Sequence, residues 1–346
     1  MIKLELSDSE IESIKALITD VVAEYKSVED ADFINKASLY AHQLPWRLRS
    51  FLNDFRLKEP GSGFCVISGY PLNLSDIGAT PTHWKWRSDA QSSLREQILF
   101  VLQGSLLGDL FGWATQQDGY LIHDVFPIKG HESEQLGTGS EQLLWWHTED
   151  AFHPYRADYI GFLCLRNPDN VATTIGTLDI EKLDPAQINI LCQPRFVIRP
   201  DESHQEKNES DLRRAKRPNS AQDSINTAYE KIKKMGANPE KVPILFGSPS
   251  SPYMRLDPYF MEPLNDDPEA QQALEAMIAL INPSLIDLAL KPGDFCFIDN
   301  YRAVHGRNPF KARYDGQDRW IKRISMTRDL RKSRQARAGS AARVIM

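Results

Sequence analysis

Cysteine is scarce in this chain of 346 residues and shows no paired spacing. The four cysteines, Cys65, Cys164, Cys192 and Cys296, lie far apart and form no CxxC motif. That pattern argues against a thiolate zinc site and against a disulfide framework. We expect all four thiols to be reduced and most of them to be buried.

Long apolar stretches are also missing. The N-terminal segment MIKLELSDSE has no apolar run preceded by basic residues. No later stretch approaches the roughly 20 apolar residues that a membrane-spanning helix needs. We therefore expect a soluble protein that works in the cytoplasm.

Positive charge is not in excess. Lys and Arg number 41 against 47 Asp and Glu, which gives a formal net charge of −6 and a sequence pI of about 5.8. This balance disfavours a nucleic-acid partner, because phosphates attract basic proteins. The stretch RKSRQARAGSAAR is locally basic, but we expect residues 331–346 to form a flexible tail rather than a nucleic-acid arm.

The chain shows no internal repeat, and we expect one elaborated domain over residues 1–346. Residues 1–110 have the pattern of helices around one short strand. Ser7 and Glu10 fit a capping box, and apolar residues at helical spacing behind them predict an amphipathic helix over 8–26. The stretch GFCVISGYPL predicts a buried strand, and SSLREQILFVLQGSLLGDLFG predicts a second long helix.

From residue 118 the pattern changes to short strands bounded by Gly, Pro, Asn or Asp. This spacing is typical of a β-sandwich or barrel, so residues 111–330 are predicted to form a β-rich core. Within this core, residues 201–234 are polar and almost without large aliphatics. We expect this insertion to be a solvated loop or a lid over a site.

The stretch WWHTEDAFHP, residues 145–154, carries the first chemical motif. On a strand, His147 and Glu149 point to the same face, and two ligands converging from one face suit a metal ion. His305 is the best third ligand, since it follows a buried-looking FCFI strand and stands beside a glycine. Such a triad leaves three positions of an octahedral metal open, which suits Fe(II) and O2. Zinc would accept the same ligands.

A pair of arginines follows the third histidine. Arg319 and Arg323 lie four residues apart in GQDRWIKRISM, so on a strand they share a face. An inward-facing arginine is costly without an anionic partner, and a dicarboxylate cosubstrate provides one that binds in a bidentate manner. A metalloprotease has no need of such a pair, so the pair favours iron over zinc.

These segments together resemble a known family. HTEDAFHPYRADY, FCFIDNYRAVHGRNPF and DGQDRWIKR are similar to the clavaminate synthase-like branch of the Fe(II)/2-oxoglutarate dioxygenases, over about residues 110–330. This branch includes asparagine oxygenase, an arginine hydroxylase of viomycin biosynthesis and free-lysine hydroxylases. The resemblance implies a mainly β fold with flanking helices, a cupin-like double-stranded β-helix or jelly roll. It also implies hydroxylation of a side-chain carbon, C3 or C4, of a free L-amino acid, with Fe(II), 2-oxoglutarate and O2.

The resemblance assigns roles to particular residues. The implied iron ligands are His147, Glu149 and His305. Arg319 is expected to hold the distal carboxylate of 2-oxoglutarate, with help from Thr173 or its neighbour Thr174.

At the amino-acid end, the resemblance places Arg323 against the α-carboxylate of the substrate, and Gln116 and Glu149 at the α-ammonium. Asp257, in YMRLDPYF, stands where the arginine hydroxylase pairs an aspartate with the guanidinium. Arg255 stands where that enzyme has a second acid, and it is a further candidate for substrate binding. Because a guanidinium prefers two planar acceptors, a single carboxylate favours L-lysine over arginine, citrulline, ornithine and asparagine.

Three alternatives remain open from the sequence. The amino acid could be bound to a carrier protein, although a thioester offers no anion to Arg323. The same ligands could serve a zinc-dependent hydrolase. A jelly-roll binding protein with a vestigial metal site is the third alternative, and the presence of Arg319 argues against it. The oligomeric state is not predicted.

Overall fold

The computed structural model describes residues 2–86, 92–205 and 219–346. Its helices are α1 (Asp8–Glu24), α2 (Ala31–Ala41), α3 (Trp46–Lys58), α4 (Leu74–Ile77), α5 (Leu94–Ser105), α6 (Pro185–Leu191), α7 (Asn219–Ala237) and α8 (Pro268–Ile281). Its first strands are β1 (Ile2–Glu5), β2 (Phe64–Ser68), β3 (Asp109–Trp113), β4 (Ile122–Val125), β5 (Leu144–His147), β6 (Tyr159–Arg166), β7 (Thr173–Thr177) and β8 (Phe196–Val197). The later strands are β9 (Lys241–Val242), β10 (Leu245–Ser248), β11 (Ser251–Met254), β12 (Ile286–Leu288), β13 (Phe295–Asp299), β14 (Ala303–Arg307), β15 (Trp320–Thr327) and β16 (Val344–Ile345).

Two sheets form the centre of the molecule. The larger sheet has eight strands in the order β1-β2-β13-β6-β15-β3-β16, with β4 also paired to β15. The smaller sheet has the order β12-β7-β14-β5. Ile160 and Cys296 of the larger sheet share one hydrophobic cluster with Ile175 and Ala303 of the smaller sheet, so the two sheets pack face to face. The fold is a jelly roll with flanking helices, which confirms the predicted fold class.

Helices cover the outer face of the larger sheet. Phe295 and Phe297 of β13 pack in the same cluster as residues of α1, α2, α3 and α5. The alternate residues, Cys296 and Ile298, face the smaller sheet. Because both faces of β13 are covered, the strand consists of consecutive apolar residues, FCFI, instead of an alternating pattern.

A second group of helices covers the smaller sheet. Trp146 of β5 and Val304 of β14 belong to one cluster with Leu274, Met277 and Ile281 of α8. This packing fixes the two strands that carry the histidines of the predicted metal site. Of the helices in the described ranges, none has the length and apolarity required to cross a membrane.

The structure of the N-terminal region agrees in part with the elements predicted from the sequence. Helix α1 begins behind the predicted capping box of Ser7 and Glu10. The helix predicted from Ser92 ends at Ser105, because the chain then turns into β3. A Cβ at Gly108 would lie 2.5 Å from the carbonyl oxygen of Thr327, so the turn requires glycine for close approach to β15. The larger sheet also includes β1 and β2, which precede the predicted core of residues 111–330.

The last residues do not form the predicted flexible tail. Strand β16 pairs in parallel with β3, and Ile345 is buried. Arg337 is also buried and donates hydrogen bonds to the carbonyls of Leu330, Gly339 and Ser340, at 2.9, 3.1 and 2.8 Å. Arg337 therefore stabilises the fold of residues 330–340, a segment whose basic composition had indicated a solvated tail.

The predicted loop or lid of residues 201–234 is more ordered at both ends than expected. Residues Glu202–His204 form a short 3-10 helix, and α7 begins at Asn219. Residues 206–218 lie outside the described residues. The chain is helical from Asn219 onward, so a loop is the wrong description there, and the alternative of a lid stays a prediction.

Candidate active site

The register of the smaller sheet brings the predicted metal ligands together. Strands β5 and β14 are antiparallel neighbours, and His147 lies directly opposite His305. Glu149 follows two residues after His147. Its Oε2 lies 3.7 Å from Nε2 of His147 and 3.3 Å from Nε2 of His305. These three side chains offer ligand atoms within 4.8 Å of one another.

The chemistry of these donors fits a divalent cation. The ring of His147 is oriented by a contact of 2.8 Å between Nδ1 and the carbonyl oxygen of Trp145, which leaves Nε2 for a metal. Burial acts to raise the pKa of Glu149, but the charge of Arg323 and hydrogen bonds from the histidines hold it well below its usual range. The negative charge of Glu149 therefore suits this side chain to hold a metal ion. Two imidazoles and one carboxylate are the donor set of non-haem Fe(II) oxygenases.

Asn300 fixes the backbone of Glu149, a contact that the sequence did not predict. Its Oδ1 accepts a hydrogen bond from the Glu149 amide at 2.7 Å. Its Nδ2 donates to the carbonyls of Glu149 and Ala157, at 3.1 and 2.9 Å. Asn300 is fully buried in the turn between β13 and β14. One side chain therefore connects the carboxylate ligand to the strand of His305.

We expect Asn300→Ala to lower the free energy of unfolding by about 1–3 kcal/mol, because buried polar groups lose their partners. The affinity for Fe(II) should fall about 10-fold, as expected for a side chain that supports a ligand. Thermal unfolding and Fe(II) titration would measure both effects. Asn167→Ala is the matched control, since Asn167 also makes three buried hydrogen bonds, but to Val171 and Leu290. Equal loss of Fe(II) affinity in both variants would contradict the assigned role.

Arg319 lies in the same cavity as the metal ligands. Its Nη2 donates to Oγ1 of Thr173 at 3.1 Å, and burial lowers its pKa to about 10. Among the described residues, no carboxylate forms an ion pair with Arg319. Of the two predicted threonines, Thr173 lines the cavity and contacts Arg319. A buried guanidinium without a counterion fits the carboxylate of 2-oxoglutarate.

Arg307 is a second cation in this wall and was missed from the sequence. It donates to the carbonyl of Gln142 at 3.0 Å and to that of Gly139. Burial and the nearby charge of Arg319 lower its pKa to about 9. The spacing from His305 to Arg307 is two residues, so strand alternation was a signal that could have found it.

The side chains predicted to face the amino acid, Arg323, Glu149 and Gln116, lie next to one another. Nη1 of Arg323 contacts Oε1 of Glu149, and Nη2 donates to Oε1 of Gln116 at 3.2 Å. His123 lies beside this group, with its Nδ1 2.9 Å from Nη2 of Arg323. Glu149 thus directs one carboxylate oxygen toward the histidines and the other toward Arg323.

Asp257 lines the cavity and is buried. Burial raises its pKa to about 6, with the positive charge of His147 acting against the shift and the negative charge of Asp201 adding to it. Within the described part of the chain, no Lys or Arg forms an ion pair with Asp257. A cation from outside the protein would supply the missing charge.

Arg255 is not among the residues that line this cavity, so its role in substrate binding stays a prediction that this geometry does not support. Its Nη2 donates to the carbonyl of Phe152 at 2.6 Å, and its Nε donates to that of Ala151. Strand β11 ends at Met254, so Arg255 lies just outside the strand. The guanidinium holds the turn that follows Glu149.

Asp201 provides the second carboxylate. It lines the cavity together with Asp257, although 56 residues separate them in the sequence. Its Oδ1 accepts the backbone amide of Ser203 at 2.8 Å. Asp201 belongs to the polar stretch that the sequence indicated only as a loop or lid, so no pattern assigned it to the pocket.

A jelly roll with a His, Glu, His cluster and an unneutralised buried arginine beside it defines an Fe(II)/2-oxoglutarate-dependent dioxygenase. Residues 179–325 match the model of the taurine catabolism dioxygenase TauD, TfdA family. The chain belongs to this family. It is 43% identical over 345 residues to the enduracididine beta-hydroxylase of Streptomyces hygroscopicus, with all of both chains covered.

Two further similarities are informative. The L-ornithine/L-arginine 3-hydroxylase of Catenulispora acidiphila is 42% identical over 350 residues, covering 100% of each chain. The crystal structure of the non-haem iron oxygenase OrfP in complex with Fe, succinate and (3S)-hydroxy-L-Arg superposes with a TM-score of 0.93 and 43% identity, covering 100% of each chain. The resemblance to free amino-acid hydroxylases and the requirement for Fe(II) and 2-oxoglutarate are confirmed. The zinc-hydrolase and vestigial-site alternatives are not supported.

The comparisons favour arginine or ornithine over the predicted lysine. The L-lysine 3-hydroxylase of Catenulispora acidiphila is only 27% identical, with 99% of this chain and 88% of that protein covered. The prediction of lysine depended on a single carboxylate in the pocket. Asp201 removes that premise, because it adds a second carboxylate to Asp257.

Proposed function

We propose that this enzyme hydroxylates C3 of a free basic L-amino acid with a guanidinium side chain, with L-arginine as the first candidate. The observation that carries the proposal is the pair of carboxylates, Asp201 and Asp257, in the cavity of the metal ligands. The names of the relatives support C3, since one is a beta-hydroxylase and another a 3-hydroxylase. L-Ornithine is the second candidate.

The guanidinium is recognised by two acceptors. A guanidinium is planar and presents five N–H donors, so it pairs best with more than one carboxylate oxygen. Asp257 is buried and lacks a cation, and Asp201 lies near enough for its charge to raise the pKa of Asp257. A positive ligand relieves the repulsion between these two carboxylates. A lysine ammonium is smaller and is satisfied by one of them.

The α-amino and α-carboxylate groups bind at the other named residues. Arg323 pairs with the α-carboxylate, while Gln116 and Glu149 face the α-ammonium. The contacts of Arg323 with Glu149 and Gln116 support this assignment, because they place the three side chains around one point. A free amino acid presents both charges there, so its main chain is held while the side chain extends toward the carboxylate pair.

The cosubstrate binds on the side of Arg319. Arg319 and Thr173 hold the distal carboxylate of 2-oxoglutarate, and Arg307 adds a second positive charge nearby. Fe(II), when bound with 2-oxoglutarate and O2, supplies the oxidation that replaces a C–H bond by C–OH and yields succinate and CO2. Phe162 and Ile321 form part of the cavity wall, and these apolar side chains help to exclude water.

A substrate screen tests the proposal. Succinate and a product heavier by one oxygen are measured together with iron-loaded enzyme for L-arginine, L-ornithine, L-lysine and L-citrulline. L-Citrulline is the matched control, because it keeps the shape of arginine without the charge. We expect kcat/KM for arginine to exceed that for citrulline by about 100-fold or more, as expected for a charged hydrogen-bonded pair. Faster turnover of lysine or citrulline would contradict the proposal.

The same assay separates a free from a carrier-bound substrate. L-Argininamide keeps the guanidinium and the α-ammonium but has no α-carboxylate, like an amino acid held as a thioester. We expect its kcat/KM to be at least about 10-fold lower than that of arginine, because Arg323 loses its anion. Equal turnover would favour the carrier-bound alternative.

We also propose that the enzyme works in the cytoplasm. All four cysteines are free thiols in the structure, and Cys65, Cys164 and Cys296 are buried. A reducing compartment suits such a protein. Cell fractionation with an antibody against the enzyme would test the location.

A further inference from the structure

A buried hydrogen-bond network begins one residue after the carboxylate ligand. Asp150 has a positive φ of 50° and is almost fully buried. Its Oδ2 accepts from Nε1 of Trp113 at 2.6 Å, and its Oδ1 accepts from Nε2 of Gln116 at 3.3 Å. The left-handed backbone is unusual for a residue other than glycine. Asp150 lines the same cavity as the metal ligands, and its carboxylate contacts Trp113 and Gln116.

His204 is the partner of Asp150 from the other side. Its Nε2 lies 3.0 Å from Oδ1 of Asp150, and its Nδ1 lies 2.6 Å from Oγ1 of Thr115. The imidazole is 1% exposed and packs edge-on against Trp113 and Phe152. Both ring nitrogens are therefore used, and the ring is enclosed by β3 and by the turn after Glu149.

His204 belongs to a short segment that also contributes residues to the cavity wall. The Glu202–His204 helix comes directly after Asp201, and both Asp201 and Ser203 line the cavity. Ser203 is joined to the substrate end, because Nε2 of Gln116 donates to its Oγ at 2.6 Å. Gln116 in turn accepts from Arg323. A continuous set of contacts thus connects His204 to the residues that face both ends of the amino acid.

We propose that His204 is a positioning residue that anchors residues 201–204 on Asp150 and Thr115 and thereby holds Asp201 at the guanidinium. This inference rests on the proposed function, which assigns Asp201 to that group. The side chain of His204 does not enter the cavity, so it acts through Asp201 and Ser203. A loop segment without such an anchor would leave the second carboxylate free to move away from the substrate.

The first test compares two substitutions with a matched control. His204→Leu removes both hydrogen bonds, and His204→Gln retains an amide that can donate to Asp150 and accept from Thr115. We expect His204→Leu to raise the KM for arginine about 30-fold, with KM for 2-oxoglutarate changed less than about twofold. Succinate formed per hydroxylated arginine should rise, because poorly held substrate lets turnover proceed without hydroxylation. His204→Gln should recover much of this loss.

His153→Leu is the control for simple disruption of the same pocket. His153 packs against the same two rings, Trp113 and Phe152, but its Nδ1 accepts only the backbone amide of Tyr155, at 3.0 Å. We expect this variant to lose stability without changing the ratio of succinate to hydroxylated arginine. If His153→Leu and His204→Leu changed that ratio equally, His204 would have only a packing role.

A double-mutant cycle with Asp201→Ala is the decisive measurement. If His204 acts through Asp201, His204→Leu should have little further effect on the KM for arginine once Asp201 is alanine. Independent, multiplicative effects would overturn the inference and leave the proposed function intact. Failure of the wild-type enzyme to hydroxylate arginine would instead overturn the proposed function. The cycle would then be measured with the amino acid that the enzyme does hydroxylate. An Asp201→Ala variant with an unchanged KM for that amino acid would overturn the inference.

Discussion

Arg319→Gln is expected to raise the KM for 2-oxoglutarate by about 100-fold or more, with a much smaller effect on Fe(II) binding. Arg319 is buried and forms no ion pair with a carboxylate of the described residues, and we propose 2-oxoglutarate as the anion that it binds. Removing one member of a buried charged pair costs about 2–5 kcal/mol, which corresponds to this range. The KM is measured through succinate formation at saturating arginine.

The control for Arg319 is Arg313→Gln. Arg313 is half-exposed, and its guanidinium lies 3.4 Å from Asp169 and 3.6 Å from Asp315, so its ion pairs are of the weak surface kind. We expect its KM for 2-oxoglutarate to match that of the unmodified enzyme. A similar KM for Arg319→Gln and the unmodified enzyme would contradict the proposal that Arg319 binds the distal carboxylate.

Asp257→Asn is expected to lower kcat/KM for arginine by about 100-fold or more, while kcat/KM for citrulline changes much less. Asparagine keeps the shape of the side chain and removes the charge that a guanidinium needs. Asp266→Asn, at an exposed position before α8, is the control and should leave both values unchanged. Equal losses for arginine and citrulline would mean that Asp257 shapes the pocket and does not pair with a cation.

The same substitution should stabilise the unliganded enzyme. Burial raises the pKa of Asp257 to about 6, so the ionised carboxylate destabilises the folded state above that pH. We expect Asp257→Asn to increase the free energy of unfolding by about 1–3 kcal/mol at pH 8. The gain should fall as the pH is lowered through 6 and disappear below about 4, where the carboxyl group is protonated in both states. Urea unfolding at several pH values would measure it.

The even spacing within two pairs of residues, His147 with Glu149 and Arg319 with Arg323, was the signal by which the sequence predicted this site. Strand geometry supports it only in part, because β5 ends at His147 and β15 begins at Trp320, so Glu149 and Arg319 lie just outside the strands. Arg255 also lies just outside a strand, after Met254, but does not line the cavity. Spacing alone therefore does not decide which side chain reaches the site beyond the end of a strand.

The residues that were missed depend on contacts across the fold. Asp201 reaches the pocket through the anchored segment 201–204, and Asn300 meets Glu149 from 151 residues away. The local spacing of residues in the sequence does not predict contacts between segments so far apart. Thr173 could not be separated from Thr174 for the same reason, because the choice depends on which threonine the sheet turns toward Arg319. Substrate preference was therefore the least predictable property, since it depends on how many carboxylates converge.

Strand β16 covers the edge of β3, the strand that leads to Gln116 in the site. In the larger sheet, β3 lies between β15 and β16. Without β16, the hydrogen-bonding groups of β3 would become an open sheet edge, available to other chains. Strand β3 ends at Trp113, three residues before Gln116. We therefore expect deletion of residues 344–346 to disturb amino-acid recognition more than Fe(II) binding, because His147 and His305 lie on the smaller sheet.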